Sequence, residues 1–594
     1  MRIKWFSLVR VTGLLLVLLY HFFKQIFPGG FIGVDIFFTF SGYLITALLI
    51  DEYAKSEKIE LLSFLKRRFY RIVPPLVMMI LLIIPFTFLV RNDFRAGIGP
   101  QIAAALGFVT NIYEVMTGGN YESQFIPHLF VHTWSLAIEV HFYLVWGILL
   151  WLISKRSMTS NQFRGLVFMM STGFFTLSFL SMFVRSFFTE NVSVLYFSTL
   201  SHSFPFFLGA MFATMTGVKE TTKRFSKNVK LWSQRRVVLS MAGCVALLFL
   251  LTFLLDFNHQ FTYLFGFVLA SLFASLMIYA ARVLHEQTPK LQEPAIITFF
   301  SDISYGIYLF HWPFYIIFSQ VFGNAIAVLM TLLFSIILAS LSYYVIEPFI
   351  IGKIPILLGL KIDIKPYKKW VFGIVGLLSL LTVITASTAP KVGRFETELL
   401  VDSLHQAQNN MNRTHTLAAG DANALSSISI IGDSVALRSS SAFSQLMPEA
   451  QLDAAVSRNF DDAYSIFENH IASQTLSRTI VLAVGVNSLE NYQESLQQFI
   501  DGLPDGYRIV FVSPYNAANA AKVAEVREYE LSLAKAYSFV TIADWYKVSV
   551  ENPAIWSGTD GVHYSDSDTT GATLYVETIQ KAIQKAAKKA AKGE

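Results

Sequence analysis

Eleven apolar stretches lie in succession near residues 6–27, 31–50, 72–90, 133–153, 164–184, 194–216, 237–255, 260–282, 297–320, 323–347 and 370–388. Each has about the 20 residues a helix needs to cross a bilayer. Beyond residue 388 the runs stop, so a polytopic α-helical membrane domain of about eleven spans must give way to a polar C-terminal domain. Composition agrees: 54% of residues are hydrophobic and only 15% charged, outside the range of an ordinary soluble protein. The expected divisions are a membrane domain over 1–350, a basic loop and last span over 351–390, a linker over 391–426, and an outer domain over 427–594.

A weaker stretch, 100–116, is interrupted by polar residues. If it does not span, the basic loops at Lys66-Arg67-Arg68, Lys155-Arg156, Lys219 to Arg236 and Lys361 to Lys369 all share the side of the N-terminus, as the positive-inside rule requires. We therefore read it as re-entrant or interfacial, which puts the N-terminus in the cytoplasm and the C-terminal domain outside. Arg2, Lys4 and Arg10 precede an apolar run without an Ala-x-Ala-like cleavage site, which reads as a retained first helix. The net charge of +5 follows from the same topological clusters, and no nucleic-acid motif is present. The single cysteine, Cys244, excludes an intrachain disulfide and a CxxC pair.

Inside the spans sit His21, Asp35, Glu139, His141, His202, His311 and Glu347. Lipid penalises such groups unless they line a cavity or have a partner. His141, His202 and Glu347 are balanced between function and a place near span ends. His21 follows Arg10 by ten intervening residues, roughly 16 Å along one helix. One residue can therefore meet a cytoplasmic ligand while the other faces the outer half. Imidazole is nucleophilic and titrates near neutral pH, so His21 is the candidate acid/base or acyl carrier, with Asp35 or Glu139 to orient it. Arg67, Arg68 and Arg71 open a helix on the cytoplasmic side, where guanidinium forks and the helix dipole could hold phosphates.

Five strings occur in order here: Arg10 with His21; Gly29-Gly-Phe-Ile-Gly33-Val-Asp35 with Ser41-Gly42-Tyr; Arg67-Arg68-Phe-Tyr-Arg71-Ile-Val-Pro74; Trp134-Ser135-Leu136-Ala-Ile-Glu139; and Ser304-Tyr305-Gly306-Ile-Tyr308-Leu-Phe-His311-Trp312-Pro313. Together they resemble the membrane acyltransferase-3 family over almost the whole membrane half. The resemblance implies transfer of acyl groups, usually acetyl, from cytoplasmic acyl-coenzyme A to an extracytoplasmic glycan. On it, Arg10, Asp35, Arg67, Arg68, Arg71, Glu139 and His311 are assigned to donor binding or the membrane relay. Acetyl-coenzyme A is then a donor substrate, with no permanently bound cofactor and no metal.

The linker, with Gln406-Ala-Gln408-Asn409-Asn410, reads as a tether with room for a helix in part of it. After it, strand and helix patterns alternate, which predicts a parallel sheet with helices on both faces. The strands are expected at Ile428 to Ile431, Thr479 to Val484, Arg508 to Ser513 and Phe539 to Ile542, with a long helix from about Thr570 to Lys592. Gly432-Asp433-Ser434 and Gly485-Val486-Asn487 each follow a strand, so they share the carboxyl edge where open parallel sheets place their sites. Asp560 and His563, three residues apart, allow a carboxylate to orient an imidazole that takes the Ser434 proton. The amide of Ser434 and the side chain of Asn487 are the expected oxyanion donors.

These blocks resemble the SGNH hydrolase family, with two departures. No aspartate follows Asn487, and Val456-Ser457-Arg458-Asn459 occupies the interval where a glycine block belongs. The third oxyanion donor is therefore unassigned. The C-terminal lysines, Lys581 to Lys592, read as a solvated helix face.

Outside a cell there is no acyl-coenzyme A, so an external serine enzyme needs a membrane partner to receive an activated acyl group. The combination resembles the peptidoglycan O-acetyltransferases of Gram-positive bacteria. It implies acetyl transfer through the membrane domain to Ser434 and on to a sugar hydroxyl, C6 of N-acetylmuramic acid. The alternatives are another wall or capsular polysaccharide as acceptor, a transporter carrying an extracellular glycan-binding module, and a deacetylating esterase.

Overall fold

The computed structural model describes residues 3–594 apart from 118–126, 190, 219–220, 358–359, 419–427, 488, 490, 557–558, 560 and 566–569. The chain divides into two compact units, Met1–Lys391 and Val392–Glu594.

In the first unit a helix occupies each of the eleven apolar stretches. They are α1 (Phe6–Phe22), α2 (Gly33–Ser56), α3 (Leu61–Ile83), α4 (Trp134–Ser154), α5 (Ser160–Arg185), α6 (Phe204–Thr216), α7 (Gln234–Leu254), α8 (Phe267–Gln287), α9 (Ala295–Val321), α10 (Asn324–Leu341) and α11 (Lys368–Thr388). Among the described residues, eight helical segments are long and apolar enough to cross a membrane; α1 and α6 are shorter apolar helices. The stretch 100–116 breaks into Ile98–Leu106 and Thr110–Met116, of nine and seven residues, each too short to cross. The break falls at Phe108, which takes a left-handed backbone conformation.

Helices α2 and α6 lie backbone to backbone. A Cβ on Gly42 would stand 1.9 Å from the carbonyl oxygen of Phe206, and one on Gly209 2.0 Å from that of Thr39. Small residues allow such approach where lipid supplies no hydrophobic drive between helices. In α9, Pro313 has no N–H to donate to the carbonyl of Leu309 four residues earlier. The Nε2 of His132 donates to that carbonyl instead, at 2.9 Å.

The second unit is a five-stranded parallel sheet between helices. Its strands are β1 (Ile428–Gly432), β2 (Ala450–Ala454), β3 (Thr479–Ala483), β4 (Arg508–Val512) and β5 (Val540–Ala543), in the order β2-β1-β3-β4-β5. The strand β2 was absent from the sequence expectation. Its Ala-Gln-Leu-Asp-Ala carries no β-branched or aromatic residue and is only partly buried, so nothing in its composition marks a strand. The expected helix near the C-terminus runs over Thr570–Ala586.

Much of the expected linker over 391–426 is helical, as a part of it was expected to be, and packs as part of the second unit. Residues Arg394–Ala418 form a 25-residue helix within the second unit. Leu399 is buried there, Glu398 and Asp402 meet Arg438 at 2.7 and 3.6 Å, and the Gln406 amide pairs with both backbone groups of Ala454 at 3.0 and 3.1 Å. Ala454 belongs to the edge strand, so Gln406 covers part of an otherwise open edge. Ionic and hydrogen-bonding contacts made through tertiary structure hold a segment whose polar composition suggested a tether.

Candidate active site

The strand β1 is buried along its whole length and ends at Gly432. Asp433 continues the ladder by donating its N–H to the carbonyl of Ala483 at 3.0 Å. Its side chain then caps the helix Ser434–Arg438 by accepting from the Val435 N–H at 3.0 Å. Ser434 is therefore the first residue of a helix, where amides point outward and negative charge is favoured. Burial raises the Asp433 carboxyl to about 6, although the Val435 N–H and the nearby His563 both favour its charged form.

His563 Nε2 lies 2.8 Å from Ser434 Oγ, and both residues are buried. This is the spacing at which an imidazole can take a hydroxyl proton. The loop reaching His563 turns at Gly561, whose φ of +76° suits glycine, and the Gly561 carbonyl accepts from the Ala517 N–H at 2.9 Å. Next to His563, the Tyr564 hydroxyl bonds Ser439 Oγ and the Val435 carbonyl, tying the histidine loop to the nucleophile's helix. Asp560, expected to orient His563, lies outside the described residues.

Asn487 follows β3, and its Nδ2 donates to the Arg458 carbonyl at 3.3 Å. The Arg458 side chain is buried: Nη1 donates to the carbonyls of Gly432, at 3.1 Å, and Asp453, while Nη2 meets Asp453 Oδ1 at 2.7 Å. One residue thus joins the nucleophile strand, the end of β2 and the side chain of Asn487. Sequence reasoning gave it no role. The available signal was an arginine in the interval where a glycine block belongs.

In the first unit, Arg10, Arg68, Arg71, Ser41, Glu139 and Tyr308 are among the residues lining a cavity of about 580 Å³. Glu139 accepts from Ser41 and Tyr143. Arg71 pairs with Glu347 at 2.6 Å and stacks over Tyr343. Arg67 is not brought there: it is half exposed and pairs with Glu52 at 3.2 Å. Around α3 the helical repeat sets Arg71 between Arg67 and Arg68, and the cavity lies on the Arg68 side.

His21 is not oriented by Asp35 or Glu139, contrary to expectation. Asp35 is fully buried against His202, Oδ1 to Nε2 at 3.1 Å, while Glu139 serves the cavity. His21 Nδ1 instead meets His311 Nε2 at 2.8 Å, with the Trp312 ring beside it. The ring of His132 lies 6.0 Å from that of His311. His132 escaped the sequence reading although it sits two residues before the Trp134-Ser135 string.

The model of the acyltransferase domain family matches residues 3–346. O-acetyltransferase OatA of Staphylococcus aureus (strain COL) is 27% identical over 603 residues, spanning 96% of this chain and 95% of that protein. The solved C-terminal catalytic domain of Streptococcus pneumoniae peptidoglycan O-acetyltransferase A, carrying a methylsulfonyl adduct, is 37% identical, with a TM-score of 0.28. That match covers 28% of this chain and 98% of the solved domain.

Proposed function

Because the chain belongs to the acyltransferase-3 family, we propose that this membrane acyltransferase moves acetyl from cytoplasmic acetyl-coenzyme A across the membrane to Ser434. Ser434 then passes it to a hydroxyl of peptidoglycan, C6 of N-acetylmuramic acid. The observation that carries the serine step is the 2.8 Å contact between Ser434 Oγ and His563 Nε2 at the carboxyl edge of the sheet. The likeness to O-acetyltransferase OatA along nearly the whole chain supports transfer of acetyl to an oxygen.

The donor's phosphates meet Arg10, Arg68 and Arg71, whose cavity is the polar space a coenzyme needs inside an apolar bundle. The N-terminus lies in the cytoplasm, with the α/β domain outside. His21, on the same helix as Arg10 and about 16 Å along it, takes part in the hand-off. In the outer domain His563 accepts the Ser434 proton as Oγ attacks the acetyl carbonyl. The Ser434 amide and Asn487 stabilise the oxyanion, and His563 returns the proton to the leaving group. In the second half the sugar hydroxyl repeats the attack on acetyl-Ser434, with His563 again as base.

The test is mass spectrometry of wall glycan fragments from cells carrying the wild-type chain, His21→Ala or Ser434→Ala. Both variants are expected to lose one and the same acetyl group. Retention of that group in Ser434→Ala would falsify the serine step, and loss from a glycan other than peptidoglycan would replace the acceptor.

A further inference from the structure

The His21–His311 contact fixes more than a distance. His311 Nδ1 lies 2.6 Å from the Tyr308 carbonyl oxygen and 3.2 Å from that of Ile307. Carbonyl oxygens only accept, so Nδ1 of His311 carries a hydrogen. In the neutral ring its Nε2 therefore holds the lone pair. The group facing that lone pair at 2.8 Å, His21 Nδ1, must then be the donor. In its own neutral ring, His21 consequently keeps its in-plane lone pair on Nε2.

We infer that His311 is a positioning residue for His21, holding it as the Nδ1–H tautomer so that Nε2 is the atom that does the chemistry. When Nε2 binds a proton, the positive charge gained by the ring is shared through Nδ1–H with His311 Nε2. His311 is placed for this by its own helix. Its two carbonyl partners lie one turn back on α9, and it is fully buried. Tyr308, which supplies the nearer carbonyl, also lines the arginine-bearing cavity and bonds Ser135 Oγ at 2.6 Å. The wall of the proposed donor site and the support of His21 therefore share a residue. Asp35 and Glu139, the carboxylates that the sequence offered for this task, are engaged by His202 and by Ser41 and Tyr143.

This inference rests on the proposed part of His21 in the membrane relay, and the test separates the two. Membranes holding the full chain are assayed for acetyl-coenzyme A-dependent acetylation with His21→Ala, His311→Gln and His311→Met, each checked for folding by thermal stability in detergent. The glutamine carbonyl can still accept the His21 Nδ1–H, whereas methionine offers only a weak sulfur acceptor. His311→Gln is expected to stay within about tenfold of wild type, while His311→Met loses on the order of a hundredfold or more in kcat. The KM for acetyl-coenzyme A, set by the cavity arginines, should move less than about threefold, since only the tautomer has changed. A double His21→Ala/His311→Met variant should be no slower than His21→Ala alone, because His311 acts through His21.

Equal loss in folded His311→Gln and His311→Met, or normal transfer in His311→Met, overturns the inference. Should His311→Met not fold, His311→Gln decides by itself: a folded, inactive variant overturns the inference and an active one supports it. Normal transfer in His21→Ala overturns the relay role instead.

Discussion

The guanidinium of Arg458 donates to the carbonyl of Gly432 at 3.1 Å, and the Arg458 carbonyl accepts from the side chain of Asn487 at 3.3 Å. The nucleophile's strand and the proposed oxyanion donor are thus held by opposite ends of one residue. Charge-assisted bonds of a planar fork in a buried position are among the stronger polar contacts a protein makes.

Arg458→Ala is therefore expected to lower outer-domain stability by about 2 kcal/mol and to slow reaction at Ser434 by about tenfold or more. Arg458→Lys keeps the charge but loses the fork, so it should recover only part of the rate. The rate of covalent labelling by a sulfonyl fluoride reports this directly. Labelling at wild-type rate in a folded Arg458→Ala protein would remove Arg458 from the site's support.

Ser434 and His563 should behave as a unit. Labelling at Ser434 is expected to vanish in Ser434→Ala and to slow by about a thousandfold or more in His563→Ala. Combining the two should cost acetyl transfer little more than Ser434→Ala alone. A His563→Ala protein that labels normally would mean that the 2.8 Å contact is only packing.

How much of this was visible in the sequence follows the range of the interactions involved. Apolar length marked a helix at every one of the eleven stretches because bilayer thickness acts on local composition. Strand-to-turn patterning put Ser434 and Asn487 on one sheet edge because a parallel sheet imposes that geometry. Partner choice was not visible. Asp35, His202, Arg458 and His311 each find a hydrogen-bond partner on another element, and no spacing rule announces such a pair. The packing of the helix over Arg394–Ala418 escaped for a related reason. Its fit depends on Arg438 and Ala454, which only the folded domain brings near.

Glu530 gives the outer domain a pH-dependent stability. It is buried in the helix Ala520–Ala536, and its Oε2 has no hydrogen-bond partner among the described residues. Burial, with Asp544 adding to it and Arg527 opposing, raises its carboxyl from 4.5 to about 8. The folded state therefore binds a proton that the unfolded state releases between those values, so stability falls as pH rises from about 4.5 to about 8. Glu530→Gln should flatten that slope and stabilise the domain at pH 8 by on the order of 3 kcal/mol. Pulse proteolysis of the outer domain across this range is the measurement; an unchanged slope in the variant would place the titration elsewhere.

In the membrane half the close approach of α2 and α6 makes a sharper steric prediction. A methyl group at Gly209 would collide with the Thr39 carbonyl at 2.0 Å, and one at Gly42 with the Phe206 carbonyl at 1.9 Å. Both obstacles are backbone, which cannot swing aside as a side-chain tip can, so the two helices would have to separate. Gly209→Ala and Gly42→Ala are each expected to lower the thermal stability of the detergent-solubilised protein and to reduce acetylation with it. His202, which precedes α6, would move away from Asp35 on α2 and break their buried 3.1 Å contact. Gly173, in the interior of α5 with open space where its Cβ would stand, is the control. Gly173→Ala should be neutral or stabilising by up to about 1 kcal/mol, because alanine loses less backbone entropy in a helix. If Gly209→Ala and Gly173→Ala melt alike, the α2–α6 contact is looser than these distances require.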